Sequence, residues 1–135
     1  WRLTLGVAEA GEAVDGRNDA DLAIPDATPA GVASVITLDG DGGAATAVTV
    51  EIDIEHTYIG DLQVDLVSPA NTMVRLHDQD GGGTADLARR YDSRTMPALE
   101  VLVGAAVDGP WTLVVRDLAQ VDVGRLVWWS ISVTV

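Results

Sequence analysis

The chain has 135 residues, of which 47% are hydrophobic, and this size suits a single domain with one sizeable core. Its 21 acidic residues face eight arginines and no lysine, and the formal net charge of −13 opposes binding to nucleic acid or to anionic lipid. The lack of cysteine excludes a disulfide framework, a thiolate zinc site and a cysteine nucleophile.

The first part of the chain differs in composition from the rest. Trp1–Val7 is a candidate strand, whereas Glu9–Pro29 is rich in Gly, Ala, Asp and Pro without a clear period and predicts a linker or long surface connection. We therefore divide the chain into an N-terminal strand and linker, residues 1–23, and a sandwich domain, residues 24–135. We expect no signal peptide or membrane span, because no apolar run approaches ~18 residues, and we expect the sequence to be a piece of a longer protein.

From Ala33 onward, short apolar runs alternate with turn signals, which is typical of an all-β sandwich. In Val48–Glu55, apolar and polar residues alternate strictly, which indicates a half-buried strand. Leu62–Leu66 repeats the alternation, and the turn residues Ser68–Asn71 then lead into a further apolar run at Val74. This pattern predicts a hairpin.

The second half of the chain continues the pattern of short elements. A glycine-rich loop, His77–Thr84, precedes Thr84–Tyr91, for which we predict one or two turns of helix. Further strands are predicted at Leu99–Val103, Trp111–Asp117 and Leu126–Val135. The sequence thus predicts about eight mostly antiparallel strands.

Single residues within these segments carry more specific expectations. Asp39–Gly43 is predicted to form a hairpin tip, because Asp-Gly is a strong turn signal, and Gly124 is expected in a turn with positive φ. Trp111 and Trp129 are expected in the core, since the protein lacks Phe. Trp1–Leu5 resembles the segments that begin at these two tryptophans, and we interpret all three as strands anchored by a buried Trp.

The sequence lacks the usual signatures of an active site. Only His56 and His77 could serve as general bases, and we expect His56 to bond a nearby carbonyl or carboxylate. No serine lies in a Gly-x-Ser-x-Gly elbow, and the candidates are Ser34, Ser68, Ser93, Ser130 and Ser132. Neither a His-x-x-x-His zinc pattern nor a phosphate-binding loop with lysine is present. We therefore predict a domain without catalysis.

From Ile24 to Val135, the order of short motifs resembles the P domain, also called the P/Homo B domain. This domain follows the catalytic domain in proprotein convertases and in many bacterial subtilisin-like proteases and metalloproteases. The matching pieces are Ile24-Pro25-Asp26, His56-Thr57, Gly60-Asp61-Leu62, Leu66, Ser68-Pro69, Gly109, Trp111-Thr112-Leu113, Asp117, Asp122, Gly124, Leu126 and Trp129.

The resemblance implies a jelly-roll β-sandwich similar to galactose-binding-like domains. It also implies an accessory role, in which the domain packs beside the protease catalytic domain of the same chain and supports its folding and stability. The parent chain would then be a secreted, extracellular bacterial protease of the subtilisin-like or a related class, and a serine endopeptidase if it is subtilisin-like. We expect the domain to be a monomer with no nucleic-acid or membrane partner.

Calcium is the one ligand that the sequence suggests. An EF-hand starting at Asp78 would place Gly83 correctly but needs Glu where Arg89 stands, so this motif is rejected. A site shared between loops is the alternative, and several bacterial relatives of the resembled family bind calcium. The predicted hairpin would bring Asp61 and Asp78 to the same end of paired strands. The candidate ligands are Asp61, Asp78, Asp80, Asp86 and Asp92.

Two other functions are compatible with the sequence. A sandwich of this size could bind carbohydrate or another surface ligand through its tip loops, although only six aromatic residues are available. The similarity of the Trp1 segment to two later strands would also suit an adhesive or spacer repeat of a large extracellular protein.

Overall fold

The computed structural model describes residues 12–120 and 124–135, so the strand predicted at Trp1–Val7 and the motif residue Asp122 lie outside the described residues. Two 3₁₀ helices accompany the strands, at Ile59–Asp61 and Pro97–Leu102. The strands of the described part are β1 (Ala13–Asn18), β2 (Leu22–Ile24), β3 (Thr28–Leu38), β4 (Ala47–His56), β5 (Leu62–Val67), β6 (Met73–Asp78), β7 (Leu87–Asp92), β8 (Gly109–Asp117) and β9 (Gly124–Thr134).

The strands form two antiparallel sheets that pack face to face. Sheet A has the order β1-β9-β4-β7, with β2 also pairing with β9, and sheet B has the order β3-β8-β5-β6. All named strand pairs in the described ranges are antiparallel. The prediction of an all-β jelly-roll sandwich is therefore confirmed.

The core lies between the sheets and follows the alternation read from the sequence. On β4, Val48, Val50, Ile52 and Ile54 are at most 2% exposed, while the intervening residues lie on the outer face. On β8 and β9 the same period buries the inward apolar residues. Burial of this side of each strand is the main source of stability, because apolar surface leaves water.

Two tryptophans occupy the middle of the core, as predicted. Trp111 on β8 and Trp129 on β9 are both fully buried. The indole N–H of Trp111 donates to the carbonyl of Val107, and that of Trp129 donates to Ser34 Oγ, both at 2.9 Å. Each ring thus fills the core without leaving its polar atom unpaired.

The β5–β6 hairpin is also confirmed. Leu66 pairs with Val74 across the two strands, and the connecting turn is closed by a hydrogen bond from the Asn71 N–H to the Ser68 carbonyl at 2.9 Å. Asn71 has φ of 67°, a conformation that asparagine tolerates better than most residues.

Several predicted elements were wrong. The interpretation of Glu9–Pro29 as a linker fails because β1 pairs with β9 over six residues and β2 pairs with its other end. The helix predicted in Thr84–Tyr91 is instead strand β7, which pairs with β4. Both errors arise because these segments gain their structure from a distant strand and carry little local signal.

The remaining corrections concern a strand and two turns. Leu99–Val103 lies mainly in the 3₁₀ helix Pro97–Leu102, with Pro97 at its start. Asp39–Gly43 is not a hairpin tip, because it connects β3 of sheet B with β4 of sheet A. Gly124 is not among the glycines with positive φ, and it is instead required by the close approach of His56.

Both helices are short, and within residues 12–120 and 124–135 no helix is long and apolar enough to cross a membrane.

Candidate functional site

The predicted calcium ligands lie in two regions of the sandwich. Asp61 precedes β5 and Asp78 ends β6, and the Gln79 N–H donates to the Leu62 carbonyl at 2.8 Å. Asp61 and Asp78 therefore lie at the same end of paired strands, as the hairpin predicted. Asp80 is exposed in the loop that follows.

Asp86 and Asp92 lie at opposite ends of β7. Asp86 accepts the backbone N–H of His56 at 3.0 Å, at the end of β4. Asp92 accepts the N–H of Arg94 at 2.8 Å, and this hydrogen bond lowers the pKa of the Asp92 carboxyl. The six-residue strand between them spans roughly 17 Å, so one ion cannot contact both.

The described carboxylates do not form a ready metal centre. Among residues 12–120 and 124–135, no group of three or more His, Asp or Glu side chains is arranged to hold a metal ion. Two of the five candidates are held by local hydrogen bonds to backbone, and a third, Asp78, accepts a hydrogen bond from the Gln63 amide at 3.1 Å. The arrangement seen here does not fit a calcium ion without movement of these loops.

The two histidines are tied into the scaffold. His56 Nδ1 accepts the backbone N–H of Tyr58 at 3.0 Å, so the ring proton lies on Nε2, which donates to Asp117 Oδ2 at 2.9 Å. The side chains of His56 and Asp117 are fully buried. His77 Nε2 lies 2.9 Å from the carbonyl of Ile59. The prediction that His56 bonds a nearby polar group is confirmed.

The candidate serines that the structure buries are also bonded within the fold. Ser34 Oγ accepts the Trp129 indole N–H, Ser93 Oγ accepts the Val48 N–H at 3.0 Å, and Ser68 Oγ accepts the Thr72 N–H at 3.1 Å. Neither histidine ring is bonded to one of these hydroxyls. These contacts stabilise the sandwich and do not resemble a nucleophile with its base.

A buried ionic cluster on the outer face of sheet B was not predicted. Asp65 on β5 is fully buried and accepts hydrogen bonds from Arg75 Nε at 2.9 Å and Arg116 Nη1 at 2.5 Å. Asp65 lies opposite Arg75 in the β5–β6 register. The alternation with Val64 and Leu66 in the sequence shows that Asp65 lies on the outer face of its strand. The strand pairing that brings the two arginines beside it could not be predicted from the sequence.

The outer face of sheet A is shallowly grooved and polar. A groove of about 460 Å³ is lined by residues that include Asp15, Arg17, Glu51 and Arg90. The guanidinium of Arg17 lies 4.1 Å from the centre of the Trp128 ring, so one face of this aromatic ring is already covered. The groove is thus lined by charges of both signs.

Comparison with known proteins identifies the fold and the family. The family model described as the proprotein convertase P-domain matches residues 45–133. Leupeptin-inactivating enzyme 1 of Streptomyces exfoliatus is 40% identical over 116 residues, which are 85% of this chain and 25% of that protein. A calcium-dependent protease of Trichormus variabilis is 47% identical over 83 residues, which are 59% of this chain and 12% of that protein.

Among solved structures, the complex of the Aeromonas sobria serine protease with its chaperone superposes with a TM-score of 0.71 at 21% identity. The superposition covers 92% of this chain and 27% of the other, and it supports the β-sandwich fold. The chain thus spans a quarter or less of the curated proteins to which it is similar. With the family model matching most of its length, the chain belongs to the proprotein convertase P-domain family.

Proposed function

We propose that this chain is the accessory domain of a secreted bacterial protease of the subtilisin-like or a related class, and that it supports the folding and stability of the catalytic domain. The observation that carries the proposal is the family match, since P domains are ancillary domains of proteases and the relatives are themselves proteases. The scaffold bonds of His56, His77 and the buried serines support a role without catalysis.

The proposed partner is the catalytic domain of the same polypeptide, and the domain itself is proposed to be a monomer. We keep residues 24–135 as the proposed extent of the P-like domain, to which β1 and the first two residues of β2 add strand pairing with β9. An extracellular location is proposed together with the protease assignment.

Deletion of the domain tests the proposed role. The parent chain is produced with and without residues 24–135, and the amount of active protease per amount of protein made is measured. We expect a large loss of active enzyme on deletion, and no peptidase activity in the isolated domain. Equal yields of equally stable enzyme would contradict the proposal.

Calcium binding is a second part of the proposal. Its support is that two similar relatives, from Trichormus variabilis and a Nostoc species, are named calcium-dependent proteases. Because the described carboxylates do not form a metal cluster, binding would require the loop after β6 to rearrange around Asp61, Asp78 and Asp80.

Thermal unfolding of the isolated domain in calcium and in chelator tests this part directly. An ion that binds only the folded state stabilises it by about 2.7 kcal/mol at a hundredfold excess over Kd. We expect a higher Tm in calcium, and we expect the double substitution Asp78→Ala with Asp80→Ala to abolish the increase. Asp92→Ala is the matched control, because Asp92 lies at the other end of β7. Equal Tm values in calcium and chelator would remove calcium from the proposal.

Carbohydrate binding is less well supported. Its best candidate location is a second groove on the outer face of sheet A, of about 300 Å³, whose lining includes Trp128, Glu51 and Arg90. Arg17 already covers one of the two faces of the Trp128 ring on which a sugar could stack.

A further inference from the structure

The outer faces of the two sheets differ in their charge. The outer face of sheet A presents charged side chains along its strands, including Asp15, Glu51 and Arg90. On the outer face of sheet B, Val35 on β3 pairs with Thr112, Thr112 pairs with Val67, and Val67 pairs with Met73. This row crosses all four strands without a charged residue.

A second row lies beside the first. Ala33 pairs with Val114, which pairs with Asp65, which pairs with Arg75. We call the uncharged residues of both rows the sheet B patch, and its members are Val35, Thr112, Val67, Met73, Ala33 and Val114. Val35 is 47% exposed and Met73 is 54% exposed. A sheet face that keeps such side chains in water marks a contact surface.

The ionic cluster around Asp65 lies beside the patch. Asp65 is fully buried, whereas the Arg75 and Arg116 side chains that bond it are 39% and 25% exposed. The hydrogen bond to Asp65 raises the pKa of Arg75, and the nearby Asp78 carboxylate raises it further, so the two guanidinium groups of this corner face two carboxylates. These paired polar groups form a rim beside the uncharged rows.

A second copy of the chain is a poor occupant of this surface. Each copy carries a formal charge of −13, and the repulsion between two such copies opposes self-association. A covalently joined domain has a high effective concentration, so a patch of modest size is enough to hold it. In the protease relatives, 75% or more of the polypeptide lies outside the matched region, which supplies such a domain.

We infer that the sheet B patch docks the catalytic domain of the parent protease, which presents an apolar surface to it. This inference rests on the proposed function and adds to it the contact surface. The charged outer face of sheet A then remains in solvent.

Oxidation of methionine by peroxide tests the docking without any substitution. The chain has two methionines, and Met96 is packed against the core while Met73 is exposed in the patch. In the isolated domain, we expect Met73 to oxidise faster than Met96. In the intact parent chain, we expect the oxidation of Met73 to slow about fivefold or more relative to Met96. Equal relative rates in the two forms would overturn the inference.

Substitutions give a second test with a matched control. Val35→Glu and Met73→Glu place a charge in the patch, while Val101→Glu places the same charge at a residue that is 62% exposed on the 3₁₀ helix Pro97–Leu102. In the parent chain, we expect the first two to shorten the half-life of protease activity at elevated temperature and Val101→Glu to leave it unchanged. In the isolated domain, all three should retain their Tm, which separates docking from folding.

The deletion variant distinguishes failure of the docking inference from failure of the proposed function. If removing residues 24–135 shortens the half-life but the patch substitutions do not, the accessory role stands and the docking surface is wrong. If the deletion also has no effect, the proposed function itself fails. A dimer of the isolated domain that Val35→Glu dissociates would assign the patch to a second copy and overturn the inference.

Discussion

At the scale of single residues, the hydrogen bond between His56 and Asp117 connects the two sheets. His56 ends β4 in sheet A and Asp117 ends β8 in sheet B, and both side chains are fully buried. Asp117 also accepts the backbone N–H of Ala119 at 3.1 Å. A buried carboxylate with two such donors stabilises the fold, because both donors would otherwise lose their partner.

Substitution of Asp117 tests this role. Asparagine is nearly the same size but has one acceptor oxygen for two donors, so we expect Asp117→Asn to lower the free energy of unfolding by about 2 kcal/mol. Urea unfolding of the isolated domain measures the change. Asp41→Asn is the control, because Asp41 is exposed, and it should change the free energy little. A loss no larger than that of the control would contradict the assigned role.

Substitution of Tyr91 is expected to increase the stability of the domain rather than to decrease it. Its hydroxyl is the one buried side-chain polar atom in the described ranges without a hydrogen-bond partner. Burial of an unpaired hydroxyl has a desolvation cost, and its removal breaks no hydrogen bond. We therefore expect Tyr91→Phe to raise the free energy of unfolding by about 1 kcal/mol. Tyr58→Phe should have no effect, because Tyr58 is 41% exposed. Destabilisation by Tyr91→Phe would show that the hydroxyl has a stabilising partner.

Tyr91 also makes the stability of the fold depend on pH in the alkaline range. Burial raises the pKa of the Tyr91 phenol above 10.0. A group whose folded pKa is raised stabilises the fold fully below the unfolded pKa, and this stabilisation is lost as pH rises through the folded pKa. Titration followed by ultraviolet absorbance should therefore show one phenol ionising above the ordinary range, and this signal should be absent from Tyr91→Phe.

Sequence reasoning identified some of these residues and missed others for a clear reason. The hydrogen bonding of His56 was predicted from its place at the end of an alternating strand, but its partner Asp117 is 61 residues away. The Asp65 cluster likewise depends on Arg116, which is 51 residues distant. Such partners are set by strand order, which no local pattern reveals.

At the scale of the elements, Gly124 shows how closely β9 approaches β4. A Cβ on Gly124 would contact the Glu55 carbonyl oxygen and lie 2.6 Å from His56 Cδ2. The backbone oxygen cannot move without disturbing the β4–β9 ladder, so the position requires glycine for space. The sequence predicted a positive φ as the reason for glycine here. The structure shows that glycine is needed because there is no space for a Cβ.

Alanine at this position should therefore be costly. We expect Gly124→Ala to lower the free energy of unfolding by about 3 kcal/mol, because the added methyl group strains the backbone. Gly83→Ala is the matched control, since its Cβ would meet only the Tyr58 ring, at 3.3 Å. Chemical denaturation of both variants measures the difference, and equal stability would contradict the close approach.

The strands with strong alternation were predicted well, and those without it were not. β4, β8 and β9 each bury one side and were identified from that period. β7 contains Leu, Ala and Arg, which favour helix, and it becomes a strand only through pairing with β4. β1 alternates weakly, with a pattern of exposed and half-buried residues that resembles a surface segment.

At the scale of the whole molecule, the candidate calcium site illustrates the limit of reading loops from sequence. The prediction correctly placed Asp61 and Asp78 at the same end of paired strands. It also grouped Asp86 with Asp92, which was expected to follow a helical turn. The segment is extended, so the two carboxylates lie at opposite ends of the sandwich.

The sandwich buries one face of each sheet and leaves two outer faces of different character. The charged face of sheet A suits solvent, and the sheet B patch with its polar rim suits a protein partner. In this account the domain stabilises its parent protease through a contact surface and needs no chemistry of its own.

Calorimetric unfolding of the intact parent protease tests this account most directly. Two domains that stabilise one another unfold in a single cooperative transition, at a temperature above that of either domain alone. We predict such a merged transition for the parent chain. Two separate transitions, each at the temperature measured for the isolated domain, would show that the P domain and the catalytic domain are independent and would contradict the central claim.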